Sequence, residues 1–250
     1  LIVFILGWQL IGVIPIIFVS ILKADSLSHF MEAGLTNFAS LYPAKSNLYL
    51  LLMLLTFLGG FIGLIFTIVF LHNQKVKQLT TSRKKIDWGR FFFSFGIIAV
   101  LTIGLTLMDF YTNPEDYIVQ FELAPFLIMV VISVIFIPIQ TSFEELFFRG
   151  YMMQGIGVIT KSKWIPLIIT SVIFGGLHFF NPEVNKLGNI IMIYYIGTGL
   201  FLGIITLMDE GLELALGFHA ATNLVAAFLV TADWTVLQTN SILLDIQKQI

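Results

Sequence analysis

The stretch LAPFLIMVVISVIFIPIQTSFEELFFRG, from Leu123 to Gly150, decides the fold. It joins a long apolar run, free of charge until Glu144, to a second glutamate, Glu145, and to Arg149. A helix of about 20 mostly apolar residues crosses the hydrocarbon core of a bilayer. Ionisable side chains at the end of such a segment are rare because they are expensive to bury. The run therefore predicts a membrane helix, and the charges that follow it are candidate functional residues.

The composition indicates that most of the chain is surrounded by lipid instead of water. Of the 250 residues, 58% are hydrophobic and 11% are charged, whereas a soluble domain carries about 25% charged residues. Seven runs contain no Asp, Glu, Lys or Arg: 1–22, 46–74, 91–108, 123–143, 164–182, 187–208 and 214–232. The short alternating segments typical of a membrane β-barrel do not occur. We predict an all-α, polytopic membrane helix bundle with about seven transmembrane helices.

We expect residues 1–250 to form a single integral membrane domain, because no repeat, low-complexity tract or long linker divides them. The candidate functional residues lie in a core at about 123–232. We interpret the first run as a membrane helix whose natural N-terminus is missing. The tail, 233–250, alternates apolar and polar residues and predicts a surface helix or a truncated span.

The charges of the connecting segments predict the orientation, because cytoplasmic loops are rich in Lys and Arg. The loop 72–90 is basic and the loop 109–122 is acidic, so the first should be cytoplasmic and the second external. The basic residues of the connection 144–163 return it to the cytoplasm. Alternation then places 183–186 outside and 209–213 inside, although the last connection is acidic. We expect a multi-pass protein of a prokaryotic cell membrane.

Several functional classes are excluded by what the sequence lacks. The net charge is −2, without the basic stripe that a nucleic-acid partner requires. The absence of cysteine excludes disulfides, thiolate metal sites and a cysteine nucleophile. There is no G-x-S-x-G nucleophile elbow and no H-E-x-x-H zinc helix.

The first candidate cluster contains two carboxylates with different surroundings. Glu145 and Arg149 are four residues apart, which places them on one helical face within reach of an ion pair. Glu144 is rotated by about 100° from Glu145, so it faces elsewhere. A carboxylate in low-dielectric surroundings without a cationic partner can accept a proton near neutral pH. Taken alone, the cluster is better explained as a group of interfacial charges that marks the cytoplasmic end of the helix, because helix ends often carry such charges.

Two further clusters place polar side chains at four-residue spacing inside apolar runs. In FGGLH the ring of Phe174 lies one turn from His178, which suits either a functional histidine or an interhelical hydrogen bond. In HAATN, His219 and Asn223 face the same way and can aim two donors at one point, as an oxyanion requires. Taken alone, this pair favours interhelical hydrogen bonding, a common use of Asn and His in membranes.

Together the clusters supply a base, a partner for it and an oxyanion site, which suits attack of activated water on an amide carbonyl. We expect them to meet in a polar cavity between helices 4, 5 and 7 that opens to the cytoplasmic side. The positions of the two histidines along their helices, however, are difficult to reconcile with one common site. At 1.5 Å per residue, His178 lies about 21 Å along its helix and His219 about 9 Å along its own. The two can meet Glu144 only if the fifth helix begins in the cytoplasm or the fourth is buried past Arg149.

The three motifs resemble those of the CPBP intramembrane proteases. EELFFR matches E-E-x-x-x-R, FGGLH matches F-x-x-x-H and HAATN matches H-x-x-x-N. That family comprises CAAX proteases and bacteriocin-processing (Abi) proteins, and includes the Rce1-type prenyl-protein endopeptidases and the lysostaphin-resistance proteins. The resemblance covers roughly residues 141–223.

The resemblance implies a role for each motif residue. By this resemblance, Glu144 is expected to be the general base that activates water with the help of His178. By the same resemblance, His219 and Asn223 are expected to form the oxyanion hole. The supporting or substrate-orienting residues are Glu145, Arg149 and Phe174. The family acts without a metal or another cofactor, as glutamic proteases. Zinc on two glutamates and two histidines is the less favoured alternative, because Asn223 is a poor zinc ligand.

We therefore expect a metal-independent endopeptidase that cleaves a peptide or protein substrate at the lipid bilayer. One alternative is a non-cleaving scaffold or immunity factor of the same family. A proton-coupled transporter is a further alternative, although the paired halves and broken helices of transporters are not evident. The oligomeric state and the prenylation of the substrate stay open.

Overall fold

Seven apolar helices follow the seven charge-free runs in the computed structural model, which describes residues 5–247. They are α1 Gly7–Lys23, α2 Asn47–Leu71, α3 Trp88–Thr112, α4 Leu123–Thr160, α5 Trp164–Leu177, α6 Pro182–Asp209 and α7 Glu213–Leu229. Shorter helices span Leu27–Gly34 and Val76–Thr80, and 3₁₀ turns span Ala39–Leu41 and Pro114–Asp116. By length and apolar composition α2, α3, α4 and α6 can cross a membrane, and α1, α5 and α7 are shorter apolar helices. The predicted all-α polytopic membrane bundle is confirmed. The first four residues of the run 1–22 lie outside the described part.

Local chemistry sets where these helices begin and end. The Ser46 side chain accepts a hydrogen bond from the Tyr49 amide at 3.3 Å, and this cap begins α2. Asp87 caps α3 in the same way through the Arg90 amide, also at 3.3 Å. The residue after α4, Lys161, has a left-handed backbone with φ of 52°, a conformation that ends a helix.

The basic loop 72–90 and the acidic connection 209–213 lie at the same end of the bundle. The Ser82 amide donates to the carbonyl of Glu210 at 3.1 Å, and Arg83 pairs with Asp209 at 3.0 Å and with the fully buried Glu213 at 3.2 Å. The acidic connection therefore does not conflict with the predicted alternation, because its carboxylates are the partners of the basic loop. Which membrane face this end occupies stays a prediction.

The tail forms strands at the opposite end of the bundle, so the prediction of a surface helix or truncated span is wrong. A three-stranded sheet contains β1 Tyr117–Val119, β2 Val230–Ala232 and β3 Leu243–Asp245, in the order β1-β3-β2. Strand β3 is antiparallel to β1 and parallel to β2. The Glu183 carboxylate accepts from the Val236 amide at 2.9 Å. The tail thus gathers the loops 109–122 and 183–186 at one end, in agreement with the predicted alternation. Residues 248–250 lie outside the described part.

The fourth helix is longer than its charge-free run, and the predicted connection 144–163 is therefore mostly helix. A π-helical segment, Leu146–Met152, continues it and is followed by Met153–Thr160. Arg149 is 2% exposed and belongs to the interior instead of a cytoplasmic loop.

The extension of α4 explains how His178 and the two glutamates can lie at the same depth in the bundle. From Arg149 the helix runs on for about 16 Å, and α5 returns about 21 Å to His178, at 1.5 Å per residue. His178 therefore comes back to the level of the two glutamates. The fourth helix therefore continues past Arg149 instead of ending there, and the position of this extension in the membrane stays a prediction.

Helix α4 contacts both of the other motif-bearing helices, α5 and α7. Helix α3 packs along α7, α5 along α6, and α4 contacts both α2 and α7. A Cβ atom on Gly175 would overlap the side chain of Ile196, so the approach of α5 to α6 requires glycine there. Phe148 and Phe174 meet edge to face, with ring centroids 5.4 Å apart, in the aromatic core beside the motifs.

Candidate active site

The ion pair of Glu145 and Arg149 is buried in the interior of the bundle. Arg149 Nη1 donates to Glu145 Oε1 at 2.9 Å, and the two side chains are 1% and 0% exposed. Arg149 Nη2 also donates to the carbonyl of Gly199 on α6 at 3.2 Å. The guanidinium lies 4.3 Å from the ring centroid of Phe174 on α5, a cation–π contact. The predicted pairing of Arg149 with Glu145 is confirmed, and the pair joins α4, α5 and α6.

His219 of α7 lies between the two carboxylates. Its Nδ1 is 2.8 Å from Glu145 Oε1, and its Nε2 is 3.6 Å from Glu144 Oε2. A carboxylate that is paired with an arginine only accepts hydrogen bonds, so Nδ1 carries a proton. The other edge of the ring faces Glu144. The sequence predicts an oxyanion role for His219; the geometry also makes it a bridge between the carboxylates.

Glu144 differs from Glu145 in its partners and in its exposure. Its side chain is 11% exposed, whereas that of Glu145 is 0% exposed. Gln140 Nε2 donates to Glu144 Oε1 at 2.8 Å, and Asn223 Nδ2 donates to Gln140 Oε1 at 3.1 Å. The site therefore contains a continuous series of polar contacts, in the order Arg149, Glu145, His219, Glu144, Gln140 and Asn223.

Gln140 belongs to this series although the sequence analysis did not select it. The signal was present: an amide in an otherwise apolar segment, four residues before Glu144 and therefore on the same helical face. Because glutamine is neutral, a criterion based on ionisable side chains does not identify Gln140.

His178 faces its own helix and α6. Its Nδ1 lies 2.8 Å from the carbonyl of Phe174, which only accepts, so Nδ1 carries a proton. The ring stacks on Tyr195 with centroids 4.5 Å apart, a contact that no local sequence pattern predicts. Within the described part of the chain, no hydrogen bond or ion pair joins His178 to Glu144. Phe174 connects the two histidines by packing, with centroid distances of 5.0 Å to His178 and 6.2 Å to His219. The assisting role of His178 stays a prediction.

The matched region of a known family covers this arrangement. The family model of the Rce1-like proteins, described as type II CAAX prenyl endopeptidases, matches residues 123–225. This region is similar to an Rce1-like domain. It extends from the start of α4 into α7 and contains every residue of the polar series.

A bacterial relative extends the similarity beyond the Rce1-like region. The chain is 34% identical over 170 residues to the uncharacterized protein YyaK of Bacillus subtilis strain 168. The similar segment covers 68% of this chain and 57% of the length of that relative. No solved structure matches the chain.

The polar residues of the Rce1-like region are grouped as hydrogen-bonding partners. Among residues 5–247, no three His, Cys, Asp or Glu side chains are arranged around a common point that would hold a metal ion. The two ring nitrogens of His219 each face a carboxylate. A reaction without metal, and a water-filled route from the site to the cytoplasmic side, stay predictions.

Proposed function

We propose that this integral membrane protein is an endopeptidase, in which Glu144 activates water to hydrolyse a peptide bond of a membrane-associated substrate without a metal. The main support is the unequal environment of the two carboxylates. Glu145 is fixed by Arg149 and His219 in a fully buried position. Glu144 keeps an exposed edge, and its Oε2 lies 3.6 Å from His219 Nε2, longer than a hydrogen bond.

The charge of the cluster supports a base at this position. With both glutamates ionised, Arg149 leaves a net charge of −1 among these three residues. A buried site is least costly when its charges compensate, and one proton shared between Glu144 Oε2 and His219 Nε2 makes the cluster neutral. A proton that can reside on either group belongs to the pair. Glu144 can therefore be ionised before it activates water, and it holds the proton only until the leaving amine takes it.

In the proposed reaction Glu144 first accepts a proton and later donates it, while the other side chains supply hydrogen bonds. Glu144 Oε2 takes a proton from water as the water oxygen forms a bond to the carbonyl carbon. The Nε2–H of His219 and the amide of Asn223 donate to the resulting oxyanion. Since Nδ1–H of His178 donates to the Phe174 carbonyl, Nε2 of the neutral ring has the lone pair that can accept from the water. Glu144 then returns its proton to the leaving amine as the C–N bond breaks.

The first test is a mass-spectrometric comparison of protein termini in membranes from cells that produce wild type or Glu144→Gln. The matched control is Glu115→Gln, because Glu115 is an exposed residue of the loop 109–122. We expect new termini with wild type and Glu115→Gln only. Their positions also show whether cleavage falls in C-terminal CAAX sequences or elsewhere. Identical termini in all three membranes, at equal protein levels, would contradict the proposal and favour a non-cleaving scaffold.

A further inference from the structure

We propose that Gln140 is a positioning residue, which sets the direction of the hydrogen bonds between Glu144 and Asn223. The inference rests on the proposed function and deepens it. Gln140 is 7% exposed, so the protein must supply its hydrogen-bond partners. Its amide nitrogen contacts Glu144 and its carbonyl oxygen contacts Asn223, at 2.8 and 3.1 Å.

The carboxylate determines the order of donors and acceptors along this series. An ionised carboxylate only accepts hydrogen bonds, so the amide nitrogen of Gln140 must face Glu144. The carbonyl oxygen of Gln140 then faces Asn223, and a carbonyl also only accepts. Asn223 must therefore turn its NH₂ group toward Gln140. An amide nitrogen carries two hydrogens, and the second one stays available to an oxyanion.

The same contact selects the oxygen of Glu144 that acts as the base. Oε1 already accepts the Gln140 amide at 2.8 Å, whereas Oε2 faces His219. The proton taken from water is therefore received on Oε2, next to the imidazole. Gln140 thus determines both which oxygen of Glu144 acts as the base and which way the amide of Asn223 turns. It can do so because it lies on the same helical face as Glu144.

The test compares kcat and KM of Gln140→Met with those of wild type, on a peptide taken from the cleavage site found in the terminus experiment. Methionine keeps the length of the side chain and removes both hydrogen bonds. Loss of one oxyanion donor lowers kcat by about 10²–10³-fold, and we expect a loss of that order with KM changed less than about two-fold. Gln154→Met is the matched control, because Gln154 is an exposed residue of the same helix.

A double substitution separates positioning from general damage. If Gln140 acts through Asn223, then Gln140→Met combined with Asn223→Ala should lose far less kcat than the product of the two single losses. A wild-type kcat in Gln140→Met, or a double variant whose losses multiply, would overturn the positioning role.

A charge-changing variant tests the direction of the bonds within one folded preparation. In Gln140→Glu, the introduced carboxyl can donate to Glu144 only while it is protonated, that is, below its own pKa. Activity should be present at acidic pH and fall as pH rises through that pKa, at a lower pH than any alkaline loss of wild type. A pH profile parallel to that of wild type would contradict the inference, even if Gln140→Met fails to fold.

The two proposals fail in different ways. Full activity of Glu144→Gln would refute the proposed function, whatever the Gln140 variants do. An inactive Glu144→Gln, together with a Gln140→Met and a Gln140→Glu that both behave as wild type, would refute the role of Gln140 alone.

Discussion

Replacing Arg149 with methionine is expected to destabilise the protein strongly. The substitution leaves Glu145 completely buried, with His219 as its remaining donor. The other carboxylate oxygen, Oε2, already has no hydrogen-bond partner within the described residues. Removing one partner of a buried ion pair costs about 3–5 kcal/mol. At 2–4 °C per kcal/mol for a chain of this size, the midpoint of thermal unfolding should fall by about 6–20 °C.

The measurement is the fraction of folded protein in detergent against temperature, from size-exclusion profiles after heating. Lys84→Met is the control, because it removes an exposed cation of the loop 72–90. Combining Arg149→Met with Glu145→Gln removes the unpaired charge, so the double variant should be less destabilised than the sum of the single variants. Unfolding of Arg149→Met at the wild-type temperature, or simple addition of the two effects, would show that the ion pair does not stabilise the protein in this way.

Two other predictions concern packing and topology. A Cβ atom on Gly217 would overlap the carbonyl oxygen of Phe91, so Gly217→Ala should destabilise the α3–α7 contact by about 1–3 kcal/mol, measured by the same heating assay. Gly155→Ala, where a Cβ meets no atom within 4 Å, should unfold at or above the wild-type temperature, and equal effects of the two substitutions would contradict the packing argument. Because the chain has no cysteine, Lys84→Cys and Glu115→Cys each introduce a unique thiol. A membrane-impermeant maleimide should label them from opposite sides of sealed vesicles, and labelling of both from one side would show the topology to be wrong.

The helices and one ion pair were predictable from the sequence because both follow from local rules. Long charge-free runs in a chain with few charges have lipid as their main solvent, and the backbone must then satisfy its own hydrogen bonds as a helix. The pairing of Glu145 with Arg149 follows from four-residue spacing on one helix. In each case the information lies within a few turns of the chain.

The extension of α4 and the strands of the tail depend on residues far away in sequence. Arg149 lies in the charged connection that follows the run 123–143 and so indicated a cytoplasmic loop, yet Glu145, Gly199 and Phe174 make it an interior residue. The strand β3 is defined by pairing with two segments elsewhere in the chain. Gln140 has no charge to draw attention to it, and its importance depends on Asn223, which lies 83 positions further on.

The series of polar contacts also sets the order in which the site can be assembled during synthesis. His219 follows Glu145 by 74 positions, a distance that a ribosome covers in about 4–15 s at 5–20 residues per second. During that interval the glutamates of α4 can have neither their histidine bridge nor the amide that turns toward Gln140. The newly made chain therefore reaches the membrane without a complete site, and the site is completed only when α7 docks against α4.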